Sequence, residues 1–334
     1  MLGIAAVLAV APCSAQTEAL HFIKSVQVEQ HAVDVRWESM RSLLLAVRAG
    51  GTLRLPLDSD GQLGKAERAS AARASFIGVS PTGLAAGVQF RANVVEMSVE
   101  GTLQHEYPFL GAEDLDLDAK HLLVLGLRSL PGEAAPLGEI AWLFDTTSGT
   151  GRAVLFSASG KGAPALSRCG LIETGAVRFL SDGSFVIVPG VDDGVHWFDA
   201  EGKVLRVWSS QELGIDSGCP LSDDEVKFYD MATAPRRVFV DARRVVDEIL
   251  ATPSGPALVV RSAHDKKPSW QLILLGRRGK TRTLPLSIPD AQEGDRLKGD
   301  MVGTHAVLLT NVPFTSEGGA TLHFADWTGG PTPE

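Results

Sequence analysis

The chain lacks a long apolar run, an excess of positive charge and the short motifs of common hydrolases and zinc enzymes. No segment beyond its start has the roughly 20 apolar residues that a membrane span needs. The net charge of −9 argues against a nucleic acid or an anionic membrane as the main partner. The eight histidines are scattered, with no H-E-x-x-H, and G-x-S-x-G does not occur. We therefore predict neither a zinc site nor a nucleophile elbow, although a Ser-His-Asp triad assembled by folding is left open.

The first residues are typical of a secretory signal peptide. Leu2 to Ala11 is apolar, and Cys13-Ser14-Ala15 places small residues before a cleavage point at Gln16. We predict a signal peptide over 1–15 and a periplasmic or extracellular location. The alternative is a hydrophobic N-terminal strand.

Three cysteines are present, and cleavage of the leader would remove Cys13. Cys169 and Cys219 would remain. In an oxidising compartment an even pair forms a disulfide, whereas two buried free thiols are the alternative. If both cysteines react with a thiol reagent in unreduced, denatured protein, the disulfide does not exist.

The segment from Ala176 to Trp208 contains four short apolar runs separated by tight turns. Ser181-Asp182-Gly183 separates the first two runs, and Ala200-Glu201-Gly202 separates the last two. Glycine adopts positive φ at no steric cost, and aspartate caps its own turn, so both are hairpin signals. The segment predicts a four-stranded antiparallel meander.

Copies of this unit fill the chain. The turn between the third and fourth strands recurs about every 50 residues, with one longer interval of 77 between Gly202 and Gly279. The recurring turns are Ala49–Gly51, Val99–Gly101, Ser148–Gly151, Ala200–Gly202, Arg277–Gly279 and Trp327–Gly329. Repeats of this length built from short strands predict an all-β propeller.

The repeat predicts one propeller domain over 21–327, with 328–334 as a flexible tail. We expect six four-stranded blades, and seven is the alternative because 209–244 is either an insertion or a degenerate blade. The last unit stops after its third strand, so a strand from the N-terminus, His21–Val28, is expected to complete it. Closing the ring in this way removes exposed sheet edges.

The turns resemble those of bacterial exported six-bladed propellers of the broad NHL-like and TolB-like kind. The resemblance rests on Ser80-Pro81-Thr82-Gly83, Ser181-Asp182-Gly183 and the Phe198-Asp199-x-x-Gly202 hairpin, and it covers most of Ala32 to Trp327. Because these motifs are turn chemistry, the resemblance implies a fold and not an activity.

Propeller families that bind calcium or a quinone suggest two further sites. Propeller lactonases use Asn, Asp and Glu around calcium, but the asparagines here are Asn93 and Asn311 alone. Asp145-Thr146-Thr147-Ser148-Gly149 is a loose copy of the quinone-propeller turn, with Ser148 in place of Thr.

Asp114, Asp116 and Asp118 form D-x-D-x-D without the Gly and Glu of a calcium loop, so we interpret them as a strand with one polar face. No metal and no cofactor is predicted.

In a propeller, the connections within the two hairpins of a blade lie on one face, here called the short-turn face. The other connections lie on the opposite face, here called the long-loop face. The predicted long loops are Asp58–Arg73, Leu130–Gly138, Pro189–Gly194, Ser209–Arg244, His264–Pro268 and Pro289–Asp295.

Long loops on a rigid scaffold concentrate binding residues, so the long-loop face is the predicted functional face. The candidate binding residues there are Arg91, Arg128, Asp192, Asp193, His264 and Asp265. The favoured function is an exported, non-enzymatic, monomeric propeller that binds a protein or small ligand. The alternative is a propeller hydrolase or lyase with a site at the central channel, which clustered carboxylates on the innermost strands would favour.

Overall fold

The structure is a computed structural model. It describes residues 18–28, 31–47, 51–70, 74–81, 83–87, 94–99, 102–128, 138–156, 175–190, 192–218, 243–262, 268–292, 294–311 and 319–333. The predicted signal peptide, Cys169 and Cys219 lie outside these residues.

Four antiparallel sheets of four strands each form within the described residues. The first contains β2 (Ala32–Ser39), β3 (Ser42–Val47), β4 (Gly51–Pro56) and β5 (Glu67–Ser70). The next contains β13 (Ala176–Phe179), β14 (Phe185–Val188), β15 (Val195–Phe198) and β16 (Val204–Trp208). It is followed by β17 (Val245–Thr252), β18 (Gly255–Ser262), β19 (Ser269–Leu275) and β20 (Thr281–Leu286). The last contains β21 (Arg296–Val302), β22 (His305–Asn311), β23 (Ala320–Trp327) and β1 (Leu20–Val28).

A further sheet of seven strands lies between the first and second of these. Its strands are β6 (Phe76–Ser80), β7 (Gly83–Gly87), β8 (Val94–Val99), β9 (Thr102–Leu117), β10 (His121–Arg128), β11 (Glu139–Asp145) and β12 (Gly151–Phe156). The long strand β9 pairs with β8 through its first half, up to Pro108, and with β10 from Phe109 onward. The strand pairing therefore gives four separate four-stranded sheets and one seven-stranded sheet, rather than six separate blades.

The sheets are arranged in a ring around their first strands. Strand β2 contacts β6, which contacts β9, and the series continues through β13, β17 and β21 back to β2. Between neighbouring sheets lie apolar clusters, such as the one in which Leu123 and Leu143 meet Phe185 and Phe198. This ring of antiparallel sheets, with a core between each pair of neighbours, is a β-propeller.

The ring closes through the N-terminal strand, as the sequence predicts. Strand β1 pairs antiparallel with β23, with Leu20 opposite Trp327 and Val28 opposite Ala320. The last sheet thus takes its outermost strand from the start of the chain, which covers an otherwise unpaired edge.

Burial decreases from the inner to the outer strands. All four residues of β13 are buried, whereas four of the five residues of outer strand β16 are exposed. A charged residue on an inner strand is therefore held away from water and needs charged or hydrogen-bonding partners.

The structure corrects the sequence-based assignment of the first sheet. The turn at 49–51 joins its second and third strands, not its third and fourth. Strand β5 lies inside the predicted loop Asp58–Arg73, and it pairs with β4. The connection from Leu57 to Ala66 consequently lies on the short-turn face.

Two other predicted segments are partly described. The segment 209–244 contains a single helical turn, α1 (Ser210–Leu213). It begins with a capping box formed by Ser209 and Glu212. Residues 219–242 lie outside the described part.

The predicted tail packs against the ring through residues 328–333. The Thr328 N–H donates to the Ala19 carbonyl at 2.9 Å, and Arg282 donates to the Gly329 carbonyl.

Candidate functional site

Charged side chains from the first strands converge at the centre of the ring. We call them the channel cluster, and its members are Asp34, Arg36, Asp114, Asp116, Arg178, Glu248, Lys298 and Asp300. The sequence analysis places Asp114 and Asp116 on a strand, and β9 confirms this. Their polar face is turned to buried ion pairs rather than to solvent, since Asp114 is 0% and Asp116 6% exposed.

The aspartates of the channel cluster fasten neighbouring first strands to one another. Asp34 Oδ2 accepts the backbone N–H of Ile77 at 2.9 Å, and Asp114 Oδ2 accepts that of Val177 at 2.9 Å. Asp116 Oδ2 likewise accepts the Phe179 N–H at 2.8 Å. The inner edge of a first strand has no partner strand, so these carboxylates satisfy buried N–H groups that would otherwise be unpaired.

Two arginines neutralise these carboxylates. Arg178 donates to Glu248 Oε1 at 3.0 Å, to Asp300 Oδ1 at 3.1 Å and to the Ile249 carbonyl at 3.0 Å. Arg36 donates to Asp34 Oδ1 at 2.8 Å and to Glu248 Oε2 at 3.3 Å. The cluster therefore joins five of the first strands through alternating charges.

The pKa values of the carboxyl groups in the channel cluster are shifted in opposite directions. Burial raises the pKa of Asp34 and of Asp116 from 3.8 to about 6, against the opposing effect of the arginines. Burial also favours neutral Glu248, but the combined charges of Arg178, Arg36 and Lys298 outweigh it and lower the pKa of Glu248 to about 2. Carboxyl groups whose pKa values are shifted in opposite directions are common in catalytic sites and also in structural networks.

Three buried polar atoms of the channel cluster have no hydrogen-bond partner, namely Arg36 Nε, Arg36 Nη2 and Asp114 Oδ1. Arg36 Nη2 and Asp114 Oδ1 lie 4.0 Å apart. A small group that donates to the carboxylate and accepts from the guanidinium, such as a water molecule, would satisfy both.

A second buried group lies at the start of β17. Asp247 accepts from Arg261 Nε at 3.0 Å and from Trp270 Nε1 at 2.9 Å, and Arg296 approaches it to 3.7 Å. Sequence analysis did not identify Asp247, Glu248 or Arg178. All three share a feature that is visible in the sequence, because each is a charged residue within a short apolar first strand.

Of the predicted binding residues, Arg91, His264 and Asp265 lie outside the described residues. Asp192 and Asp193 occupy the connection between β14 and β15. Asp193 Oδ1 accepts the Ser210 N–H at 2.8 Å, and Asp192 Oδ1 accepts the Asp193 N–H at 2.9 Å. Both carboxylates thus stabilise local loop structure on the long-loop face.

Arg128 ends β10 on the long-loop face. Its guanidinium lies over the rings of Trp142 and Phe144, at 4.9 and 5.3 Å from their centroids. Its Nε is buried without a hydrogen-bond partner, and so are Trp142 Nε1 and the Tyr107 hydroxyl in the same aromatic cluster. Burial raises the pKa of Tyr107 to about 12, so its hydroxyl keeps its proton and remains a donor. This cluster has donors without acceptors.

Among the described residues, no group of three His, Cys, Asp or Glu side chains could hold a metal ion. None of the helices in this part of the chain is long and apolar enough to cross a membrane.

Asp145 begins the turn that loosely resembles the quinone-propeller turn. Its Oδ1 accepts the N–H groups of Thr147 and Ser148 at 3.0 and 2.7 Å, so Asp145 caps this turn.

Three of the solved structures that are similar to the chain have low sequence identity to it. No protein-family model and no curated protein sequence matches it. A member of the DUF4221 family from Bacteroides vulgatus superposes with a TM-score of 0.55 at 10% identity, covering 94% of this chain and 99% of that one. Virginiamycin B lyase from Staphylococcus aureus gives a TM-score of 0.48 at 10% identity, covering 93% and 94%. Hydrazine synthase from Kuenenia stuttgartiensis gives 0.48 at 12% identity, covering 86% and 75%. The first of these likenesses supports the β-propeller fold, and at such identity it extends to the fold alone.

Proposed function

We propose that the protein is an exported six-bladed propeller that binds an anionic group of a small ligand or a partner protein on its long-loop face. The six blades follow if the seven-stranded sheet is divided within β9, whose two halves pair with different neighbours. Each half then completes a four-stranded unit. Export rests on the signal-like residues 1–15, and cell fractionation of the tagged protein tests it.

The binding proposal rests on one observation, the cluster of hydrogen-bond donors around Arg128. A guanidinium fixed on two aromatic rings is already oriented, so little side-chain entropy is lost when it binds. Its unpartnered Nε and the neighbouring Trp142 and Tyr107 donors favour a ligand rich in acceptors. Carboxylate and phosphate groups match a guanidinium in charge and geometry.

The anchor is tested by replacing Arg128 with methionine. We expect the affinity for benzoate or inorganic phosphate to fall about 10- to 100-fold, because a hydrogen bond to a charged group contributes about 1.5–3 kcal/mol. Titration followed by the NMR signals of the guanidinium Nε–H groups measures it. Arg206 is the matched control because it lies 5.9 Å from the Trp208 ring on an outer strand. Equal weakening by Arg206→Met and Arg128→Met would contradict the proposal.

The channel cluster favours a second candidate, a hydrolase or lyase acting at the centre of the ring. The supporting observation is the unpartnered pair Arg36 Nη2 and Asp114 Oδ1 beside Asp34, whose pKa of about 6 suits acid–base chemistry. Against it, Asp34 and Asp114 are 0% exposed and both hold backbone N–H groups. If native mass spectrometry finds a small molecule retained by the wild type and lost from Asp114→Asn, the channel is the site. A bare mass for both proteins favours binding on the face.

A further inference from the structure

We propose that a cleft at the closure of the ring binds an uncharged, apolar small molecule through a hydrogen-bond acceptor such as a carbonyl oxygen. The cleft lies on the short-turn face, where β1 and the last sheet meet the first sheet. Its volume is about 420 Å³, within the range of small-molecule sites. Its apolar lining includes Ile23, Trp37, Met40, Leu57, Phe324 and Ala325. This site is on the opposite face from Arg128 and does not depend on the function proposed above.

Two exposed apolar side chains border the same concave surface. Ile23 is 59% and Met40 50% exposed. Ile23 falls where the register of β1 shifts against β23, and such bulges redirect a side chain. Met40 lies in the turn between β2 and β3, and its flexible thioether adapts to different ligand shapes. Single exposed apolar residues are ordinary, but two on one cleft indicate a surface that another apolar group covers.

Trp37 supplies the polar contact. The residue is 8% exposed, and its indole Nε1 is buried without a hydrogen-bond partner. Its backbone N–H donates to Asp300 Oδ2 at 2.8 Å, and its ring meets Phe324 edge-on at 6.2 Å, so its position is fixed. A buried donor without an acceptor costs free energy, which a ligand acceptor would recover.

The charged side chains that line the cleft balance one another, which favours an uncharged ligand. Lys24 donates to the Gly61 carbonyl and lies 4.8 Å from the Phe324 ring centroid, and Arg41 is exposed. Asp58 and Asp60 balance these two cations. Asp58 is also engaged by its own loop, since it accepts the backbone N–H of Asp60 at 2.9 Å. A cleft without net charge has no electrostatic preference for a carboxylate or an ammonium group.

The test uses two probes of the same shape, 1-indanone with a carbonyl oxygen and indane without one. We expect 1-indanone to bind the full-length protein about three- to tenfold more tightly than indane, as one hydrogen bond allows. Isothermal titration calorimetry measures both affinities, and the Trp37 Nε1–H signal in a ¹H–¹⁵N spectrum is expected to shift with 1-indanone. Equal affinities with an unmoved Trp37 signal would overturn the acceptor contact.

Three variants locate the site. Trp37→Phe retains a ring and removes the donor, so it should abolish the preference for 1-indanone and leave indane binding unchanged. Met40→Ser alters an exposed residue without disturbing the core, and it should weaken both probes. Leu205→Ser is the matched control, because Leu205 is 47% exposed on outer strand β16, away from the cleft. Unchanged binding of both probes by Met40→Ser, or equal loss in Leu205→Ser, would show that the cleft is not the site.

Discussion

Replacing Arg178 by methionine is expected to lower the free energy of unfolding by about 3–5 kcal/mol, which is the usual effect of removing one partner from a buried ion pair. The Arg178 side chain is 4% exposed. It donates to Glu248 and Asp300 and lies 3.9 Å from Asp116. Methionine fills a similar volume but leaves three carboxylates with less compensating charge. Since a domain is stabilised by about 5–15 kcal/mol in total, the loss would remove a large part of its stability.

Urea unfolding followed by tryptophan fluorescence measures the effect. The matched control is Arg277→Met, because Arg277 forms an ion pair with Asp182 in which the side chains are 64% and 44% exposed. An exposed pair contributes at most about 1 kcal/mol. Adding Glu248→Gln to Arg178→Met should cost less than the sum of the two single changes, because the carboxylate that lost its partner is also neutralised. Equal unfolding midpoints for Arg178→Met and Arg277→Met would show that the channel cluster does not stabilise the ring.

The order of strands and turns was largely predictable from sequence. Ser181 to Gly183 and Ala200 to Gly202 mark the hairpins of the unit from Ala176 to Trp208, and β13 to β16 lie between and around them as expected. Turn residues act locally, so their pattern survives without knowledge of the tertiary structure. The closure by β1 was also predictable, because the last unit lacks a fourth strand.

The first sheet shows where local signals fail. Its outer strand β5 reads Glu-Arg-Ala-Ser and has no large apolar residue. An outer strand needs little burial, so its sequence resembles a loop. Without β5, the turn at 49–51 was assigned one strand too late, and the connection 57–66 was placed on the wrong face. That connection lines the cleft at the ring closure, so the sequence analysis did not identify the cleft either.

The channel cluster was not predictable as a cluster. Asp34, Arg178 and Glu248 are separated by more than 60 residues from one another, and they meet because the first strands surround one axis. The alternation of side chains along a strand shows which residues share a face, but it does not show that this face lies against five other strands. The cluster also explains why the proposed binding surfaces lie on the faces of the ring: the carboxylates at the centre already hold the N–H groups of neighbouring strands.

Replacing Asp116 by asparagine is expected to change the pH dependence of stability between pH 4 and 6. The pKa of Asp116 is about 6 in the folded protein against 3.8 ordinarily, chiefly because of burial and in spite of Arg178 and Arg36. Within this interval the folded state binds more protons than the unfolded state, so the free energy of unfolding falls as pH rises. For Asp116 alone the fall over this interval amounts to about 2 kcal/mol. Asparagine does not ionise and still offers an oxygen to the Phe179 N–H.

The stability of Asp116→Asn relative to the wild type should therefore increase as pH rises from 4 to 6 and level off above about pH 7. Urea unfolding at pH 4, 5, 6 and 7 measures this difference. Asp193→Asn is the control without a slope: hydrogen bonds from Ser210 lower the pKa of Asp193, so the stability that its carboxylate contributes is lost only below about pH 4, and the difference between this variant and the wild type should change little from pH 4 to 7. Glu248, with a pKa of about 2 in the folded state against 4.5 ordinarily, also affects stability at the acidic end of this interval, but it is present in both proteins and cancels from their difference. Parallel stability curves for Asp116→Asn and the wild type would show that folding does not raise the pKa of Asp116, and that Arg178 and Arg36 fully compensate the cost of its burial.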